Sequence, residues 1–152
     1  MASLIGSKVE RKEDKKFLTG KGRYTADINL VHQTYAYFVR SPHARAKINN
    51  IDISKASKAP GVVKIFTGDD IAKEKIGGLI AGWKIVSQDG KDMKVPNHPP
   101  LAKDLVNYVG DHVAVVLAES LEEAKNAAEL VNVSYKVLKA VVNTDKAMES
   151  ET

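Results

Sequence analysis

The stretch Tyr108–Leu138, YVGDHVAVVLAESLEEAKNAAELVNVSYKVL, changes its apolar period twice, and this constrains the fold more than any other feature of the chain. His112–Ala118 (HVAVVLA) is an apolar run of strand length, which predicts a buried strand. From Ser120 the period moves toward 3.6 residues. Ser120 and Glu123 stand in the S-x-x-E spacing of a capping box. In that motif the hydroxyl accepts from the Glu123 amide and the carboxylate reaches back to the Ser120 amide. Leu121, Ala124, Ala128 and Val131 then share one helical face, and Glu122, Lys125, Asn126 and Glu129 share the other. Beyond the helix, Val131, Val133, Tyr135 and Val137 alternate with Asn132, Ser134 and Lys136, the period of a half-buried strand. A main helix over about 121–131 can therefore close its apolar face on strands from the same stretch. This unit is the expected core of an α+β domain, and it carries no catalytic pattern.

Further strands are predicted at Gln33–Arg40, Ala46–Ile53 and Val62–Thr67. The alternation within Ala46–Ile53 is broken, which predicts a bulge or bend. Ser54 is placed to cap a short helix over 55–59, stopped by Pro60-Gly61. Gly68-Asp69-Asp70 opens another short helix reaching about Lys75, with carboxylates at the positive end of its dipole. Leu105–Val109 reads as a strand joined to the next by a two-residue Gly110-Asp111 hairpin turn. Residues 76–100 gather Gly77, Gly78, Gly82, Gly90, Pro96, Pro99 and Pro100 into a long excursion. One short hairpin, Trp83–Val86 with Met93–Val95, is expected inside it. Residues 1–16 read as an extended basic arm, 17–148 as a single domain and 149–152 as a tail. Phe17–Tyr24 is turn-rich and is no phosphate loop, because Lys21 is followed by Gly22 rather than Ser or Thr.

Composition excludes several chemistries. There is no cysteine, so no disulfide, thiolate zinc site, iron–sulfur ligation or Cys nucleophile can be built. No apolar run approaches the ~20 residues of a membrane span, and the N-terminal residues lack a secretory apolar segment. A cytoplasmic protein without a membrane partner is expected. The net charge of +4 is concentrated in the arm: the first 24 residues hold seven Lys/Arg against three Asp/Glu, and the remainder is balanced. Acidic residues interrupt the arm, so nucleic-acid contact is not the expected use of that charge.

Candidate functional residues are few. His32, His43, His98 and His112 stand in no metal-ligand spacing. His98, in the NHPP segment of the excursion, is the histidine most suited to a role. Asp69-Asp70 and Glu122-Glu123 sit at helix starts, where dipole pairing explains them. The densest polar cluster is Arg40-Ser41-Pro42-His43-Ala44-Arg45-Ala46-Lys47. Arg40, His43 and Arg45 suit an interface that contacts a phosphate or a partner's carboxylate. The same residues equally suit a strand connection with solvated charges. No nucleophile, base and orienting group can be assembled into an active site.

Arg11-Lys12-Glu13-Asp14, then Phe17-Leu18-Thr19-Gly20-Lys21-Gly22-Arg23-Tyr24-Thr25-Ala26-Asp27-Ile28, then Arg40-Ser41-Pro42-His43-Ala44-Arg45-Ala46 resemble the start of a known enzyme subunit. The family is the xanthine dehydrogenase and aldehyde oxidase family, and the subunit is its large, molybdopterin-binding one. The resemblance is strongest to the aerobic carbon monoxide dehydrogenase-like branch. Pro60-Gly61-Val62-Val63, Thr67-Gly68-Asp69-Asp70-Ile71, Val109-Gly110 and Val113-Ala114-Val115-Val116 follow in the family order, so the resemblance runs from about residue 8 to 148. It implies an N-terminal α/β-hammerhead domain with a mixed β-sheet, one main helix and short helices.

The parent enzyme so implied hydroxylates or oxidises carbon monoxide, an aldehyde or a purine-like substrate. It uses molybdenum on a pterin dinucleotide, with iron–sulfur and flavin centres in partner subunits or domains. The pterin-binding loops and the catalytic glutamate belong to the longer C-terminal part. No catalytic, cofactor-binding or metal residue is therefore carried onto this sequence. The resemblance implies a fragment, inactive alone, that docks on the C-terminal part of the same subunit and on the electron-transfer subunits. The alternative from another class is a free-standing anion- or nucleic-acid-binding module.

Overall fold

The structure, a computed structural model, describes Gly6, residues 11–83 and residues 85–149. These divide into two compact units, residues 1–33 and 34–152. The tail after Glu149 and most of the arm before Arg11 lie outside the described residues.

In the first unit, α1 (Asp14–Leu18) begins inside the arm expected to be extended. Asp14 places its carboxylate 3.3 Å from the Arg11 guanidinium and its amide on the Arg11 carbonyl, which closes a first turn. The turn-rich segment that follows folds back so that the Phe17 and Tyr24 rings stack, their centroids 5.5 Å apart.

Among its described residues the second unit holds six strands: β1 (Tyr35–Arg40), β2 (Ala46–Asp52), β3 (Val62–Thr67), β4 (Leu105–Val106), β5 (His112–Ala118) and β6 (Asn132–Val137). They form two three-stranded sheets, β1-β5-β3 and β4-β2-β6. Every pairing is antiparallel. The α+β hammerhead class is met, with one correction: two antiparallel sheets stand where a mixed one was expected. The chain alternates between them, so strands consecutive in sequence never pair. Tight hairpins between them are ruled out, and Gly110-Asp111 is accordingly not a hairpin turn. Leu105-Val106 is all the strand that its segment forms, and it pairs with Ala46-Lys47 instead.

The expected bulge in β2 falls between Ile48 and Asn50, where the register with β6 shifts. Two short helical pieces connect the sheets. At the first, Ala56–Lys58, Ser54 is not the cap. The Asp52 carboxylate instead accepts from the Ser54 amide at 2.9 Å, and the Ser54 hydroxyl, then this amide, hold Asp52 below its ordinary pKa. The second, α2 (Gly68–Lys73), is fastened by Asp70, whose carboxylate accepts from the Thr67 amide at 2.8 Å and the Thr67 hydroxyl at 2.9 Å. These bonds hold the Asp70 carboxyl below the usual range.

The main helix, α3 (Leu121–Glu129), is capped by Ser120, whose hydroxyl accepts from the Glu123 amide at 3.2 Å. The Glu123 carboxylate accepts a hydrogen bond from the Ser120 hydroxyl at 2.8 Å, not from the backbone amide expected. The buried stripe is Ala124, Ala127 and Ala128, continued by the partly buried Val131. Leu121, in the first turn, is left 55 % exposed, so the stripe starts one turn later than expected.

Small residues on that stripe let α3 close on the β1-β5-β3 sheet, where Val39, Ile65 and Val116 meet it. A second cluster, Ala46, Ile48, Ala102, Val106 and Val113, lies with the other sheet. Strand β5 feeds both clusters, Val113 into one and Val116 into the other, because odd and even positions point to opposite faces. Burying a side chain of this size contributes about 1.5–3 kcal/mol. Val113 and Val116, both fully buried, thus make β5 the strand the domain can least lose.

The excursion expected over 76–100 is closed at its neck by the Leu79 amide on the His98 carbonyl, 2.7 Å. Its expected hairpin is reduced to the bridge Val86↔Asp92, supported by the Met93 amide on the Ile85 carbonyl.

Candidate functional site

Polar residues concentrate where two inter-sheet connections run side by side. One is Ser41–Arg45, from β1 to β2; the other is Asn107–Asp111, from β4 to β5. The Ser41 amide donates to the Asp111 carbonyl and the Gly110 amide to the Ser41 carbonyl, both at 2.8 Å. The Arg40 guanidinium adds a third tie, to the Gly110 carbonyl at 3.3 Å. Ser41 is buried, and its hydroxyl accepts from the His43 amide and faces the His43 carbonyl, each at 3.0 Å. This local turn is why Ser-Pro follows a strand here.

Asp111 is the centre of the second connection. It is 4 % exposed, and its Oδ2 accepts from the Asn107 amide at 3.0 Å. Its Oδ1 lies 3.8 Å from His98 Nε2. The Tyr108 hydroxyl lies 3.5 Å from the same nitrogen, and the Tyr108 and His98 rings stack at 5.8 Å. Burial, then the Asp111 charge, pushes the Tyr108 hydroxyl above its ordinary pKa. His112 stacks on Phe38 at 4.5 Å. Burial and then the Arg40 charge hold its imidazole below the ordinary value, with Asp111 opposing.

Of the residues singled out in the sequence, Arg40, His43, Arg45 and His98 all fall at or beside this crossover. Arg40 is exposed and tied to backbone. His43 meets the Tyr135 ring edge-on at 5.0 Å. Arg45 has a buried Nε that makes no hydrogen bond. It lines a cleft of about 420 Å³ with Asn107, Tyr108 and Val141. In the sequence Asp111 stands out only as a turn residue, and nothing local marks it as buried.

The cavity between His98 and Asp111 is about 20 Å³, room for roughly one water and no substrate. Among the described residues no three His, Cys, Asp or Glu side chains are grouped to hold a metal. No helix of the described residues is long and apolar enough to cross a membrane.

The family described as aldehyde oxidase and xanthine dehydrogenase, a/b hammerhead domain, matches residues 19–139. This chain belongs to that family. Among its relatives is the nicotine 6-hydroxylase large subunit of Paenarthrobacter nicotinovorans, 40 % identical over 97 % of this chain and 17 % of the relative. The structure of quinoline 2-oxidoreductase from Pseudomonas putida 86 is 37 % identical over 97 % of this chain and 18 % of its own, with a TM-score of 0.84. A Cu,Mo carbon monoxide dehydrogenase in its carbon monoxide-reduced state is 34 % identical over 95 % of this chain and 17 % of its own, with a TM-score of 0.78. The hammerhead domain spans about a sixth of the length of the relatives it matches.

Proposed function

We propose that this hammerhead domain is the scaffold and docking portion of a molybdenum hydroxylase large subunit. The observation that carries this reading is the share of length: a chain matched across 97 % of itself accounts for only 17 % of a large subunit. The parent enzyme is an oxidoreductase acting on carbon monoxide, an aldehyde or a purine-like substrate. Its molybdenum–pterin dinucleotide is held by the longer part of the same subunit, and its iron–sulfur and flavin centres by partner subunits. The assembly works in the cytoplasm. The isolated 152-residue chain is inactive alone.

Docking uses the crossover, with Arg40, His43 and Arg45 presented beside one another in sequence and held by the Ser41–Asp111 backbone ties. Those ties fix the backbone before any partner arrives, so little ordering cost is left to binding. A separate groove on the β1-β5-β3 sheet, lined by Phe38, Phe66 and Leu101 with Lys64, Lys73 and Glu74 among its other residues, offers a second surface. The relatives give no support to the free-standing anion- or nucleic-acid-binding alternative.

The test mixes this chain with the remainder of the large subunit, expressed as a separate polypeptide, and measures association by calorimetry. Arg40→Ala and Arg45→Ala are expected to weaken association more than they lower the melting temperature. Failure of the wild-type chain to associate at all would overturn the docking role.

A further inference from the structure

Resting on that docking reading, we propose that Arg45 is the receptor for a side-chain carboxylate of the polypeptide that completes the large subunit. Arg45 is held on both sides by backbone. Its carbonyl accepts from the Leu138 amide at 3.0 Å, and the next residue, Ala46, is fully buried and paired with both Val106 and Val137. The side chain leaves this anchored point and buries its Nε with no acceptor. Among the described residues no ion pair includes Arg45. A buried cationic N–H without an acceptor is unfavourable, and the guanidinium fork is shaped to be met by a planar pair of oxygens.

The cleft selects the class of anion. Its lining is otherwise uncharged and largely aliphatic, with Ala44, Val109 and Val141 beside Arg45. One guanidinium balances one negative charge, whereas a phosphate dianion would bring a second buried charge with no counterpart. An Asp or Glu side chain supplies a single charge, two acceptor oxygens and a methylene stem to lie along the valines. The rim is open to such a segment, Val109 being 66 % exposed and Val142 89 %. Most of a large subunit lies outside this chain, which makes polypeptide the source of the carboxylate.

Nitrogen-15 NMR of the 152-residue chain tests the site directly. The Arg45 Nε–H signal, assigned by its loss in Arg45→Lys, is followed while sodium acetate, or separately inorganic phosphate, is added. A saturable acetate shift that exceeds the phosphate response is expected. A silent Nε–H, or tighter binding of phosphate, overturns the proposal.

A second readout uses the remainder of the large subunit. Arg45→Lys and Arg45→Met should each weaken its Kd about 30-fold or more, the usual cost of truncating one member of a buried charge pair. Wild-type melting temperatures would show both variants folded, and an unchanged Kd overturns the proposal. Association with a silent acetate titration removes the Arg45 site and leaves the docking role. An acetate response without association keeps the anion site and removes docking.

Discussion

Replacing Asp111 by Ala tests whether the crossover is organised as described. Its Oδ2 accepts from the Asn107 amide at 3.0 Å, and the residue is 4 % exposed. A hydrogen bond to a charged group contributes about 1.5–3 kcal/mol, and a buried amide left without an acceptor costs about 1–3 kcal/mol. The two figures describe the same lost bond from opposite ends, so they do not add. A destabilisation of about 2–3 kcal/mol is expected for Asp111→Ala.

Asp111→Asn keeps an oxygen for Asn107 and should cost about 1 kcal/mol or less, the net value of a neutral hydrogen bond. In both variants the Asp111 carbonyl still accepts from Ser41, so the difference isolates the side chain. His98 contributes less. At 3.8 Å its contact with Oδ1 is beyond hydrogen-bonding range and the ring is 37 % exposed, so His98→Ala should cost under about 1 kcal/mol. Urea unfolding, with the slope checked for constancy, measures all three. A loss below about 0.5 kcal/mol in Asp111→Ala at unchanged slope would refute the reasoning.

Two other perturbations have distinct signatures. A Cβ added at Gly68 would sit 2.6 Å from the Ala102 carbonyl oxygen and 2.7 Å from Lys103 Cα, atoms of backbone that cannot swing aside. Gly68→Ala should therefore cost about 1–3 kcal/mol, with Gly77→Ala, which meets nothing within 4 Å, as the unperturbed control; equal midpoints for the two would contradict the close packing. His112 gives a pH dependence, with Arg40, Asp111 and His98 as the charged and titratable groups facing it. Its folded pKa lies below the ordinary 6.5, so the unfolded chain takes up the proton first. Stability from this group is full above that value and falls as the pH drops toward the lower folded pKa. His112→Phe should flatten the stability–pH curve between about pH 7 and 5, and an unaltered curve would count against the assignment.

The sequence showed its local structure well because the cause was local. The apolar run His112–Ala118 coincides with β5. Ser120 caps α3 as its spacing with Glu123 demands, although the returning Glu123 carboxylate meets the Ser120 hydroxyl and not its amide. The broken alternation in Ala46–Ile53 is the β2 bulge. Errors appeared where a residue's partner is distant in sequence. Gly110-Asp111 has the letters of a hairpin turn, but β4 pairs with the distant β2 and Asp111 meets Ser41. Leu121 belonged to the apolar stripe by spacing and stayed exposed, since the sheet meets only the later turns.

The candidate site was half legible. Arg40, His43 and Arg45 stand out because charge is visible in a string of letters. Asp111 does not, because burial is a property of the surrounding chain. What the sequence alone determined is the family and most of the strands and helices of the second unit. Only the tertiary structure decided the partition of strands. Antiparallel pairing in two sheets sends each strand away from its sequence neighbour, so Gly110-Asp111 becomes a crossover instead of a hairpin. That same crossing brings Ser41 against Asp111 across seventy residues of chain and leaves the Arg45 Nε buried without an acceptor. The partition rests on contacts between residues far apart in sequence, Ala46 and Ile48 with Val106 and Val113 in one cluster and Ala56 and Ile65 with Val116 and Ala127 in the other, which no local pattern of letters records.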